Sequence, residues 1–455
     1  MAYYVKKCAY NIDAVIICGI MGWKKGKGDH VMLIQFSVEN FRSYKDRAVL
    51  SMEASSDKEL SSNVVDDGKN RTLKVATVFG ANASGKSNLF LALTAAILTI
   101  KFSHQMQVGQ PLFNIVPFMF DKEMQDKPSK FEFVFIQNGI KYVYRFSATK
   151  MEVVEEYLYA YKTTRPTTIF ERNENSKPVY RFTMPAIKKE LEPLVAKNTK
   201  NKLFLATATE WNSKETKDAF EFFSSRINTY DPNFEVLIPQ IGPMLDNDND
   251  NSIRTFIKDI LKAADINIKD YQFEAREQSL DDMIAAVPPQ LRGLVLAGVN
   301  PGEKNIAYTV NTIHQVEGEL YLMNIAEESE GTRNIFGISP LFKRAFEKTG
   351  EVICIDEFDK SLHPSLVQYL INLFNDESVN KCNAQLIIST HTTSLLSQKY
   401  LRRDQFYFVD KQQETGESEL YSLDEFSPRK REDIRKAYLL GRYGAVPNIK
   451  EGAVL

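Results

Sequence analysis

Eight residues constrain this chain more than any others: Gly80-Ala-Asn-Ala-Ser-Gly85-Lys86-Ser87, a match to G-x-x-x-x-G-K-[ST]. They stand between Val75-Ala-Thr-Val-Phe79, a short apolar run, and 89–98, a run too long and too rich in Ala and Leu for a strand. Strand, glycine-rich loop and helix in that order let backbone N–H groups close around phosphates, with the positive end of the helix behind them. Lys86 is expected to reach the β- and γ-phosphates of a nucleoside triphosphate, and Ser87 to ligate magnesium. Gly80, Asn82, Ser84, Gly85 and Asn88 complete the expected nucleotide-binding set.

A second constraint lies far along the chain. Val352-Ile-Cys-Ile355 is an apolar strand emptying into Asp356-Glu357, and ligands of open α/β sheets lie at the carboxyl ends of parallel strands. Asp356 suits the magnesium position. Glu357 suits the general base that orients the attacking water.

Composition narrows the class. The 455 residues carry 57 basic and 59 acidic side chains, a net charge of −2, so no whole-chain polyelectrolyte signature points to nucleic acid. With 43% hydrophobic residues the chain can bury a large core. Cys8, Cys18, Cys354 and Cys382 have no paired short spacing, which fits a reducing cytoplasm and argues against a thiolate metal site. The apolar run 14–23 is half the roughly 20 residues of a membrane span. Lys24-Lys25-Gly-Lys27 stands where a signal cleavage site belongs, so secretion and membrane insertion are not expected. Residues 1–31 read as an N-terminal extension upstream of the natural start.

Along the rest of the chain, 33–38 and 48–52 alternate as a hairpin, and three alternating stretches between 131 and 159 read as an antiparallel sheet. Helical periodicity follows at 187–195, 218–223 and 253–263. No heptad pattern persists. Asp246-Asn-Asp-Asn-Asp-Asn251 lacks the glycine and glutamate of a calcium loop and reads as a solvated turn. After 300 the rhythm becomes strand 318–323, helix from Thr332, strand 351–355, helix 364–375, strand 384–389, then strands 405–409 and 419–422 and a closing helix 429–440. The expected domains are the extension 1–31, an N-terminal ATPase lobe 32–185, a helical lid 186–300 and a C-terminal lobe 301–455.

Three further segments discriminate among phosphate-loop proteins. Ser329-Glu-Gly331-Thr332 lies 27 residues before Asp356, at the start of a predicted helix; Phe358-Asp359-Lys-Ser361-Leu-His363-Pro364 follows Glu357; Leu386-Ile-Ile-Ser389-Thr390-His391 ends another apolar strand. With Asn40-Phe41-Arg42-Ser43 these segments, in order and spacing, resemble the ABC-type ATPases of the SMC, RecF and OLD-like branch. The chain is most similar to the stand-alone bacterial ATP-binding proteins of abortive-infection and anti-phage systems. Val116-Pro-Phe118-Met-Phe120, Leu203-Phe-Leu205, Asn212, His314 and Tyr438-Leu-Leu-Gly441-Arg-Tyr443-Gly444 add to that likeness, which covers about 32–447.

The resemblance implies an α/β ABC-type ATPase head with a mixed or parallel core sheet, an antiparallel β subdomain, a short helical lid and no coiled-coil arm. It implies ATP and Mg2+ as cofactors, with Lys86, Glu357 and His391 catalytic and Ser87 and Asp356 on the metal. Ser329, Gly331 and Thr332 would contact ATP held by a second subunit, and Asp359 would lie in the loop at that interface. His391 would sense the γ-phosphate. The implied partners are a second copy or a larger homo-oligomer and a separate toxin or nuclease effector. A RecF-like DNA-binding repair or loading ATPase, and a scaffold with little turnover, are the alternatives. The chain departs from the pattern in its first 31 residues and in the glutamine that touches magnesium, for which Gln105, Gln107 and Gln110 are candidates with a solvated loop as the other reading. For His314 and His363, a core or helix-capping role stands beside a functional one.

Overall fold

The computed structural model describes residues 31–278, 306–426 and 432–447. Most of the expected extension, the end of the expected lid and the first residues of the closing helix lie outside the described residues. The chain divides into two compact units, one of Pro232–Lys343 and the other of Gly26–Asp231 with Arg344–Leu455.

The larger unit is built on two sheets. The first is antiparallel and seven-stranded: β1 (Met32–Glu39), β2 (Ala48–Ser51), β6 (Ser129–Gln137), β7 (Ile140–Ala148), β8 (Val153–Tyr161), β9 (Thr167–Asn173) and β10 (Tyr180–Arg181), in the order β10-β9-β8-β7-β6-β1-β2. The predicted hairpin and the three predicted strands all lie in it. Alternation sets its inner face: Phe131, Phe133 and Phe135 of β6 and Tyr144 and Phe146 of β7 are buried, whereas Glu132 and Arg145 face outward. Asn138 and Gly139, both at positive φ, make the two-residue turn that right-handed strand twist favours. A small hairpin of β3 (Val64–Asp66) and β4 (Arg71–Leu73) stands beside it.

The second sheet holds β5 (Val75–Phe79), β11 (Ile227–Tyr230), β15 (Val352–Ile355), β16 (Gln385–Ser389), β17 (Phe406–Lys411) and β18 (Ser418–Ser422), in the order β11-β15-β16-β5-β17-β18. All pairings are parallel except β17 with β18. β5, β15 and β16 are buried throughout, as strands covered on both faces must be, and their sequences are accordingly dominated by apolar residues, with Thr77, Gln385 and Ser389 as buried polar exceptions. Helix α1 (Lys86–Phe102) contributes Leu89, Ala92, Leu93, Ala96 and Ile100 to one core with Phe131, Phe133 and Phe135 of the first sheet and Val352 and Cys354 of the second. Over Lys86–Gln105 it is long and apolar enough to cross a bilayer. Its buried side chains explain that composition as a core helix.

Short helices follow β10: α2 (Pro185–Leu191), α3 (Phe204–Glu210) and α4 (Lys214–Glu221), where helical periodicity is predicted at 187–195 and 218–223. Phe222 and Phe223, just past α4, reach the first sheet, Phe222 stacking on Phe135 at 4.2 Å and Phe223 meeting Phe133 edge-on at 5.0 Å. The segment 203–205 is a helix start capped from a distance. The fully buried Glu156 accepts from the Phe204 and Leu205 amides at 2.6 and 2.9 Å and from the Tyr144 hydroxyl at 2.9 Å, with Arg172 3.8 Å away. Burial pushes its carboxyl above the usual range, and Arg172 and the two amides oppose that.

The smaller unit has α5 (Phe234–Asp246), α6 (Ser252–Ala263), an antiparallel sheet of β12 (Asp270–Glu277), β13 (Ile306–Val316) and β14 (Glu319–Asn324), and α7 (Glu330–Arg344), whose last residue falls in the larger unit. Sequence reading missed α5, β12 and the long strand β13 of this unit, as it missed β11, among other strands, in the larger one. Pro239 and Pro243 lie inside α5, yet Phe234, Leu237, Ile241 and Leu245 form a buried stripe along it. Among the described residues there is no coiled-coil arm.

Behind the parallel sheet, Lys101 at the end of α1 donates to Asn228 Oδ1 at 2.6 Å, and Asn228 donates to Glu351 Oε1 at 2.5 Å. Arg344 donates to Glu351 Oε2 at 2.6 Å and to the Tyr230 hydroxyl at 2.7 Å. Burial pushes the Lys101 ammonium down to about 8 from 10.5, with Glu351 opposing and Arg344 reinforcing the shift.

Two stability predictions follow from these groups. Replacing Glu156 by Ala leaves two buried helix-start amides and the Tyr144 hydroxyl without their acceptor, and urea unfolding is expected to show a loss of about 3 kcal/mol. Between pH 8 and 10.5 the unfolded chain binds more protons at Lys101 than the folded one does, so this group makes stability rise with pH across that window. Urea midpoints measured at both ends are expected to rise less in Lys101→Met than in the wild type.

Candidate functional site

The phosphate loop leaves β5 at Gly80 and enters α1 at Lys86. A Cβ on Gly80 would lie 2.4 Å from the Val409 carbonyl oxygen, and one on Gly85 2.3 Å from Ser418 Oγ and 2.9 Å from Ser43 Oγ. Gly85 also has φ 120°, open only to glycine at low cost. The loop is thus gripped from two sides. Tyr44 and Ser43 come from the turn between β1 and β2: the Tyr44 hydroxyl donates to the Gly85 carbonyl at 3.1 Å, and Ser43 Oγ accepts from Asn88 Nδ2 at 2.8 Å. Ser418, at the start of β18, donates its hydroxyl to the Ser84 carbonyl at 2.5 Å and its amide to the Ser43 carbonyl at 2.7 Å.

That turn is itself held. Asn40 Nδ2 donates to the Met124 and Lys127 carbonyls, both at 2.9 Å, Asn40 Oδ1 accepts from the Phe118 amide at 3.0 Å, and the Arg42 amide donates to the Val116 carbonyl at 2.9 Å. The resemblance-carrying segments 40–43 and 116–120 are therefore joined as the buttress of the loop.

Within the loop, the Lys86 ammonium lies over the backbone and donates to the Gly80 and Ala81 carbonyls at 2.8 and 3.1 Å. Burial lowers its pKa, while Asp356, Glu357 and Asp359, in decreasing order, hold it up. The field of the same Asp356 helps raise the buried Tyr44 phenol, after desolvation. Phosphate loop and acidic strand end thus face one another. Ser84 Oγ is buried with no hydrogen-bond partner, Asn82 and Ser87 are exposed, and Asn88 is half-buried.

The strand order places β16 between β15 and β5, and its last residue organises the acidic pair. Ser389 Oγ bonds Asp356 Oδ1 and accepts from the Glu357 amide at 2.8 Å, while the Phe358 amide donates to the Ser389 carbonyl at 3.1 Å. Glu357 itself sits at φ 51°, a conformation that costs a side-chain-bearing residue about 1–2 kcal/mol, and its side chain is exposed. Asp359 turns back to the same strand end, accepting from the His391 amide at 2.9 Å and the Thr392 hydroxyl at 2.8 Å. His391 is exposed beside it.

Lys86, Asp356, Glu357, Asp359 and His391 therefore come together in one unit. Ser329, Gly331 and Thr332 lie in the other. Ser329 caps α7, its Oγ accepting from the Thr332 amide at 3.2 Å and bonding Thr332 Oγ1 at 2.8 Å, and Gly331 is in the first turn. The preceding Glu328 is held by Thr312 at 2.6 Å and His314 at 2.7 Å. His363 caps helix α8 (Pro364–Asn375), its Nδ1 accepting from the Ser365 amide at 3.3 Å.

Of the three glutamines, Gln110 accepts from the Gln107 amide at 2.8 Å, the carbonyls of both receive Asn201, and all three side chains are exposed. Sequence reasoning passed over Tyr44, Ser389 and Ser418. Ser389 alone left a signal, as a polar residue closing an apolar run two positions before His391.

Among the described residues no cluster of three or more His, Cys, Asp or Glu side chains could hold a metal by itself. The donor set fits magnesium in another way, since a Ser hydroxyl and one carboxylate leave most positions to phosphate oxygens and water.

Residues 75–397 match the family described as "AAA domain, putative AbiEii toxin, Type IV TA system". The chain belongs to that family. The phosphate loop, acidic strand end and signature segment all fall inside the matched region of this AAA-domain protein, whose class is that of ATP binding and hydrolysis. No curated protein matches it in sequence. Among solved structures it has a distant likeness to the SMC head domain from Thermotoga maritima, at 14% identity and TM-score 0.34 over 86% of this chain and 98% of that one. A Pyrococcus furiosus Smc head with an extended coiled coil, bound to the C-terminal domain of ScpA, gives 13% and 0.38 over 88% and 98%. An SmcHead bound to the C-winged helix domain of ScpA gives 13% and 0.35 over 86% and 97%.

The left-handed backbone at Glu357 carries a cost in stability. Glu357→Gly is expected to raise stability by about 1 kcal/mol through relief of that conformation, read by urea unfolding.

Proposed function

We propose that this protein binds and hydrolyses ATP at a site completed by a second copy, and that ATP-driven assembly controls a separate toxin or nuclease effector in anti-phage defence. The observation that carries the ATPase half is the joint held by Ser389, which fixes Asp356 and Glu357 at the end of the strand two places from the phosphate loop. In this reading Lys86 binds the β- and γ-phosphates and Glu357 orients the attacking water. Asp359 positions the His391 turn through its amide, and His391 senses the γ-phosphate. Magnesium would be held by Ser87 and Asp356 and would supply charge neutralisation at the phosphates.

Ser329, Gly331 and Thr332 make a helix N-terminus suited to an anion, and in this proposal they meet the γ-phosphate bound by the other copy. Linkage then follows: ATP that bridges two copies favours the assembly, and hydrolysis releases it. The family description names a toxin–antitoxin system, which supports placing this ATPase in a system of that kind.

Glu357→Gln is expected to lose at least 100-fold in hydrolysis and, with ATP and Mg2+, to hold a larger assembly by light scattering than the wild type does. Lys86→Ala and Ser329→Arg are each expected to be inactive alone. Mixing them restores activity, because one of the two shared sites then combines an intact phosphate loop with an intact signature. Mixtures as inactive as their components would overturn the shared site and leave only a self-contained ATPase.

A further inference from the structure

The strand β14 closes the β12-β13-β14 sheet, with β13 on one side and a free edge on the other among the described residues. All six of its residues are exposed: Leu320 at 63%, Tyr321 at 55%, Leu322 at 61% and Met323 at 40%, between Glu319 and Asn324. Sheet edges are usually protected by an inward charge, a proline or a bulge. Here the register with β13 runs unbroken from 319 to 324, and no charge or proline stands between Glu319 and Asn324. Both faces are apolar, Leu320 and Leu322 on one and Tyr321 and Met323 on the other.

We propose that β14 is a self-association edge that pairs antiparallel with β14 of a second copy of this chain. A strand with apolar side chains on both faces needs a neighbour that is apolar on both faces, and its own sequence supplies one. Two-fold symmetry adds a restriction. Residues opposite one another share a face, so the axis stands perpendicular to the sheet and passes through a residue facing its own copy. With Tyr321 at the axis, Leu320 lies opposite the partner's Leu322, and Glu319 opposite the partner's Met323. Moving the axis to Leu322 would set Leu320 opposite the partner's Asn324 in place of a leucine, so matching of apolar side chains selects Tyr321.

An edge of six residues is smaller than the roughly 1,200–2,000 Å² of a stable interface, so the contact adds to another rather than standing alone. It uses no nucleotide. Together with the shared ATP site proposed above, on which only its consequence for size rests, it gives each chain two different contacts. Two such contacts carry assembly past a dimer.

The test uses the full chain. Under mild oxidation at high protein concentration, Tyr321→Cys is expected to form a covalent dimer several-fold faster than the wild type or Ile306→Cys, an exposed position of the same sheet outside the β13–β14 register. Cross-linking no faster than those controls would overturn the pairing. In a Glu357→Gln background with ATP and Mg2+, the intact edge is expected to give assemblies larger than a dimer, and Leu320→Lys with Leu322→Lys to stop at the dimer. Equal sizes for the two, with ATP-driven growth present, would also overturn it. Cross-linking at Tyr321 without any ATP-driven growth would support the edge while removing the shared ATP site.

Discussion

At Gly85 the chain comes closer to itself than any side chain would allow. Ser418 Oγ and Ser43 Oγ both occupy the space where a Cβ would stand, and the Tyr44 hydroxyl closes on the carbonyl of the same residue. These contacts join residues about 40 positions upstream of the loop and more than 330 downstream. A phosphate loop works only if its amides keep one direction without a ligand to hold them, since reorganisation at the moment of binding would cost affinity. The buttress supplies that rigidity from behind and leaves the other side of the loop to the ligand.

The acidic pair depends on an analogous economy. Placing β16 between β5 and β15 lets one hydroxyl, Ser389, bond the Asp356 carboxylate and receive the Glu357 amide. Asp356 is thereby fixed facing the phosphate loop, while Glu357 is bent into a left-handed conformation with its side chain outward. Burial lowers the Lys86 pKa, and the three neighbouring carboxylates oppose that shift.

Much of this architecture was legible from local pattern. The strand Val75–Phe79 and the helix Pro364–Asn375 have the bounds that their apolar runs and their flanking glycine and His-Pro pair indicate. The paired alternating stretches of the first sheet were equally clear, because one buried face imposes a period of two. Where reading failed, a local rule was outweighed by packing. Prolines 239 and 243 argue against a helix that its buried stripe nonetheless sustains, and Ile227–Tyr230, with Asn228 and Thr229 at its centre, shows no apolar run and becomes a strand beside Val352–Ile355.

By itself the sequence determined the chemistry: which residues can cradle phosphate, which carboxylates stand at a strand end, and which helix begins with Ser-Glu-Gly-Thr. These are properties of adjacent residues, and the backbone's restricted geometry turns adjacency into shape. The tertiary structure alone decided which distant residues serve them. Tyr44, Ser389 and Ser418 became parts of the site because strand order and a close crossing of the backbone put their hydroxyls within hydrogen-bond reach. A lone serine or tyrosine carries no mark of its partner, since a hydrogen bond depends on a distance in space that the spacing of letters does not contain.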